Sequence, residues 1–178
     1  MYQKLALTWM LVSISNNYNY YLGDLMQDEI AKYIGCTKAL LSWFHAAHHV
    51  TKGAGFAGDH VNLYGEIYNG INEDFDALVE KFIVICDTEK IACPLEATLE
   101  SIPFLMQFTS PVNMNADAIA AEALKFMRHH VDHLTMLYRG LESNRLLTLG
   151  ADDYLAAAAN QYEEYIYLLG QRVKRGSI

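Results

Sequence analysis

The chain has 178 residues, 52% of them hydrophobic, enough for one compact domain with a substantial core. Its net charge of −8 argues against a nucleic-acid binder, and its basic residues gather only mildly, at Arg172, Lys174 and Arg175. No apolar run is long enough to span a bilayer, and three cysteines (Cys36, Cys86, Cys93) without a CxxC pair argue against a zinc knuckle or a thioredoxin-type site.

Residues 1–19 read as an N-terminal segment and residues 20–178 as one helical domain. The apolar stretch 5–14 follows a single lysine, but Ser15-Asn16-Asn17 is a poor cleavage region, so a cytoplasmic protein with free thiols is expected. All three prolines, Pro94, Pro103 and Pro111, fall in one region, and the rest is rich in Ala, Leu, Glu and Tyr, which favours long helices. The first predicted helix runs from about residue 20 to 50, with Ile30, Ile34, Thr37, Leu41, Phe44 and His48 recurring at three- and four-residue steps. Gly53, Gly55 and Gly58 end it.

A second helix is predicted from Gly58 or Asp59 to Cys86, with Asp59 at its start and Leu63, Ile67, Ile71, Phe75, Leu78 and Phe82 on the buried face. A third starts after the capping residue Asn115 and runs to about Asn144, buried through Ile119, Leu124, Met127, Val131, Leu134, Leu137 and Tyr138. Gly150 marks a stop. A fourth runs from about Asp153 to Lys174 through Leu155, Ala158, Tyr162, Tyr165, Ile166 and Leu169. The connection between the second and third helices is about 28 residues long and holds an apolar stretch, 99–108, fit for a short helix. Two hairpins joined by one long crossover form the ferritin-type arrangement, so the expected fold is an all-α, ferritin-like four-helix bundle.

The chemistry concentrates at the first hairpin. His48 and His60 flank a glycine-bearing turn, and Asp76 and Glu80 follow at i, i+4 spacing. Imidazole and carboxylate together bind iron, manganese or zinc. His48, Gly53, Phe56 and His60, then Tyr68 and Asp76-x-x-x-Glu80, resemble the first-hairpin pattern of the Dps family of small ferritin-like proteins. The resemblance spans residues 20–172 loosely and 48–82 specifically. It implies a homo-oligomer, a dimer within a dodecameric shell, with a metal site at the two-fold interface: His48 and His60 from one subunit, Asp76 and Glu80 from its partner. It also implies oxidation of Fe(II) by peroxide or oxygen and iron storage under oxidative stress, here without a lysine-rich DNA-binding tail.

The match has departures. The family's tryptophan is His49 here, and an aspartate often found after the second histidine is Tyr64. Asp76 and Glu80 lie one residue further from His60 than the family spacing. In a regular helix one residue is about 100° of rotation, which sets them roughly 160–200° from His60. A π-bulge near Gly65 or Gly70 would absorb the extra residue. With Ile67 toward the core, Asp76 points away beside Glu73 and Glu80, the pattern of a solvated acidic face. The rival reading is therefore a metal-free ferritin-like assembly protein with a degenerate site.

No Glu-x-x-His step occurs, which disfavours an intrasubunit di-iron centre. His129, His130 and His133 read as a surface or interface cluster, with His129 and His133 on one face. His45, one turn before His48, reads as a packing residue, with an extension of the first site as the alternative. The groups Tyr18-Asn19-Tyr20-Tyr21 and Tyr162, Tyr165, Tyr167 suit interfaces or core.

Overall fold

The computed structural model describes the backbone of residues 2–175 and the side chains of residues 26–174. The architecture is all-α. α1 (Tyr2–Val50) leads through a turn into a π-helix (Gly58–Gly65) that continues without a break as α2 (Glu66–Cys86). A short 3-10 turn (Glu89–Ala92) precedes α3 (Pro94–Leu105), and α4 (Ala116–Ser143) and α5 (Leu149–Arg175) form the second hairpin. Among the described residues there is no strand, and no helix is long and apolar enough to cross a membrane. The Tyr18-Asn19-Tyr20-Tyr21 group lies outside the described side chains.

α1 is the central element, packing on α2, α3 and α4, while α4 packs on α5. Ile30, Ile34, Thr37, Leu41 and Phe44 of its predicted stripe are all buried, as are Leu63, Ile67, Ile71, Leu78 and Phe82 across from it. Phe44, Phe82 and Phe126 are completely enclosed, and each such side chain stabilises the fold by about 1.5–3 kcal/mol. α3 lies so close to α1 that a Cβ at Gly35 would meet the Glu100 Cβ at 2.5 Å and its carbonyl oxygen at 2.7 Å. Only glycine at 35 lets these two helices touch.

Several boundaries differ from the sequence expectations, each for a local reason. α1 begins at Tyr2 rather than near residue 20. The crossover helix begins at Pro94, not near Leu99, because proline at the first helical position gives up an N–H that had no partner anyway. α5 begins at Leu149, with Gly150 in its first turn. Thr148 supplies the cap, its hydroxyl accepting from the Ala151 N–H at 3.1 Å. Asn115 caps α4 as expected, accepting from the Ala118 N–H at 2.8 Å.

Candidate metal site at the first hairpin

His48 closes α1 and His60 lies in the π-helix, so the turn between them brings the two imidazoles face to face. Their ring centroids are 3.9 Å apart and the planes differ by 14°. The two residues hold each other through the backbone. His48 Nδ1–H donates to the carbonyl of His60 at 2.8 Å, and His60 Nδ1–H donates to the carbonyl of His48 at 2.7 Å. A carbonyl only accepts, so both rings carry a proton on Nδ1, and in the neutral tautomer this fixes, Nε2 is the acceptor. A carbonyl on the far nitrogen is how metal-binding histidines are commonly oriented. Phe56, 46% exposed, stacks on the outer side of His60 at 4.8 Å.

The π-helix explains this closeness. Its hydrogen bonds close over five residues rather than four, so it takes up one residue more than an α-helix would. Gly65, five residues after His60, then lies against the His60 carbonyl. A Cβ there would sit 2.9 Å from that oxygen and 3.4 Å from His48 Nδ1. Tyr64 is turned into the core and fully buried instead of lying beside His60, and its hydroxyl has no hydrogen-bond partner. Burial raises its pKa, with Asp59 adding to the effect.

Asp59 lies in the first turn of the π-helix, as expected. It is buried, and Arg172 of α5 holds it through Nε, 2.9 Å from Oδ1 and 3.0 Å from Oδ2. The same guanidinium donates from Nη1 to Asp117 of α4 at 2.8 Å. Arg172, read from the sequence as part of a mild basic cluster, thus ties the π-helix to the second hairpin. The bond to Asp59 holds its pKa above the usual arginine value.

Asp76 and Glu80 lie elsewhere. Both are exposed, beside a groove on the flank of α2 that Lys38, Phe75, Pro94 and Thr98 also line. At the usual helical rise, the sixteen residues from His60 to Asp76 span roughly 24 Å. One copy of the chain therefore does not bring all four side chains together. Among the described residues, no three His, Cys, Asp or Glu side chains converge as a metal-binding group.

A second polar cluster, which the sequence expectations do not include, lies inside the bundle. His130 is completely buried rather than part of a surface cluster. Its Nε2 lies 3.2 Å from the Tyr33 hydroxyl and its Nδ1 3.5 Å from Cys36 Sγ. Burial pushes its pKa down to about 3, with His133 and His129 adding to the effect. Burial pushes the Cys36 thiol up to about 12. Tyr162 stands edge-on to His130 and donates a very short hydrogen bond to Asp74, which also accepts from Tyr154 at 2.6 Å. Burial raises the Asp74 pKa, against the pull of these two hydroxyls. His129 and His133 are half-buried under the crossover, edge-on to Phe104.

One signal could have found this cluster. Asp74 falls on the 67, 71, 74, 78, 82 spacing, whereas Phe75, the residue read as core, is only half-buried. Compared with known proteins, the chain matches no family, and no curated protein matches it significantly.

Proposed function

We propose that this chain is a ferritin-like, Dps-type protein that takes Fe(II) as substrate between two copies and stores the oxidised iron. His48 and His60 supply neutral nitrogen donors, and Asp76 and Glu80 of a second copy supply carboxylate oxygens, which favour Fe(III) over Fe(II). Two Fe(II) ions each give one electron to a peroxide. Its O–O bond breaks, and two protons complete two water molecules.

One observation carries this reading: both imidazoles are stacked and held by reciprocal carbonyl bonds at Nδ1, leaving the Nε2 of each ring for a further partner. The π-helix supports it further, because it takes up the residue by which Asp76 and Glu80 are out of step with the family spacing. The exposure of both carboxylates leaves them open to a neighbouring copy.

The test is anaerobic Fe(II) loading, addition of peroxide, and absorbance of the ferric product. The His60→Ala chain and the Asp76→Asn/Glu80→Gln chain should each lose the signal. Co-refolding the two should restore about a quarter of the sites, since each mixed two-fold pair regains one intact site. No recovery in the mixture removes the shared site, and a single-chain mass at micromolar concentration removes the pairing.

A metal-free assembly protein is the second reading. The observation in its favour is that the reciprocal bonds already hold the hairpin without a metal. Wild-type absorbance equal to that of His60→Ala would select it.

A further inference from the structure

A second pair of imidazoles stands one turn back from His48. His45 and His49 sit at i, i+4 on α1, and both are exposed. Their Nε2 atoms are 3.0 Å apart, and the rings meet at a centroid distance of 4.6 Å and an angle of 63°. Tyr68 of α2 stacks flat on His45 at 4.6 Å and 17°, which fixes that ring against a second helix. Two nitrogens at this distance share one proton: one ring donates its Nε2–H into the other's lone pair. A cation that replaces this proton finds both lone pairs already converging on it.

The spacing selects the geometry. Imidazole nitrogens lie about 2.0–2.1 Å from a bound divalent metal, so two of them 3.0 Å apart subtend roughly 90–95°. That is the cis angle of a square or tetragonal ion, narrower than the tetrahedral angle that zinc prefers. Tetragonal coordination by nitrogen and oxygen is characteristic of Cu(II) and Ni(II), and Cu(II) binds nitrogen ligands most tightly of the first-row divalent ions.

We infer that His45 and His49 form a two-histidine site for a tetragonal divalent cation, Cu(II) before Ni(II), with water filling the remaining positions. The site takes neither His48 nor His60 as a ligand, although the His49 ring meets that of His48 edge-on at 5.2 Å. The rigid α1 backbone and the Tyr68 stack supply the preorganisation, so little side-chain freedom is lost on binding.

Calorimetric titration of the full chain with Cu(II), read alongside electron paramagnetic resonance, tests it. The wild type should bind one equivalent carrying the signature of two imidazole nitrogens. His49→Ala and His45→Ala should each weaken that equivalent at least about tenfold and leave a one-nitrogen signature, and the double variant should abolish it. Circular dichroism of the His49→Ala chain checks that the helix is intact, as the exposure of His49 leads one to expect. A two-nitrogen signature that persists unchanged in His49→Ala or in His45→Ala would overturn the assignment.

Discussion

The chain uses histidine in two opposite ways. At the first hairpin, each of His48 and His60 spends one ring nitrogen on a backbone carbonyl and leaves the other open. In the bundle interior, His130 spends both, on Tyr33 and Cys36, and burial forbids it a charge. The carboxylates divide likewise: Asp74 is enclosed by two tyrosine hydroxyls, whereas Asp76, two residues on, faces outward. The lesson is that residue type alone does not mark a site. An unspent lone pair on an otherwise fixed ring does. The interior network should therefore govern stability and leave metal binding alone.

The sharpest way to break that division is Asp74→Ala. It strands the buried Tyr162 hydroxyl and leaves the half-buried Tyr154 hydroxyl only the 3.4 Å bond to the residue-74 carbonyl, and a stranded buried hydroxyl costs about 1–3 kcal/mol. A loss of about 3–4 kcal/mol is expected in urea unfolding, with iron uptake per folded chain unchanged. A loss below about 1 kcal/mol would mean that the Tyr154 and Tyr162 bonds do not hold the bundle.

His130 gives the next largest effect, through pH. Its pKa is about 3 when folded, against an ordinary 6.5, so between these values the unfolded chain binds the extra proton. Stability therefore falls as the solution is acidified through that window and levels off below it. The groups facing the ring are Tyr33 and Cys36 of α1, Tyr162 of α5, and His133 and His129 of its own helix. Of the total loss between about pH 7.5 and pH 4.5, His130 should account for about 2–3 kcal/mol. A His130→Phe chain should lack that share. Equal slopes in the two chains would place the acid sensitivity in other groups.

These two clusters were not equally legible. The hairpin was readable because His48, Gly53, Phe56 and His60 are close in sequence and their spacing carries the geometry. Even the irregular helix could be anticipated, since one surplus residue before Asp76 has to be absorbed somewhere. The interior network joins residues 94 and 97 positions apart, and nothing local announces such a partnership. Asp74 hides between Glu73 and Asp76 in what reads as a solvated acidic run. His130 hides between His129 and His133, where the obvious i, i+4 pair draws attention away from the buried member. Arg172 reads as part of a mild basic cluster because its two carboxylate partners lie 55 and 113 positions away.

Arg172 joins the two regions, reaching from α5 of the bundle to Asp59 beside His60, and its removal should give the smallest effect of the three. Arg172→Gln leaves the buried Asp59 carboxylate without a cation, a change that costs about 3–5 kcal/mol when both partners are fully enclosed. Here the guanidinium is 19% exposed and Asp117 faces solvent, so water and salt take up part of the loss, and about 1–2 kcal/mol is expected. Adding Asp59→Asn should recover most of it, because the penalty belongs to the stranded charge rather than to the missing bond. If the double variant is no more stable than Arg172→Gln alone, the arginine acts by packing its stem between α4 and α5. In that case Arg172→Gln should leave iron uptake at its neighbour His60 unaltered, whereas a stranded Asp59 charge would attract the cation and tighten it.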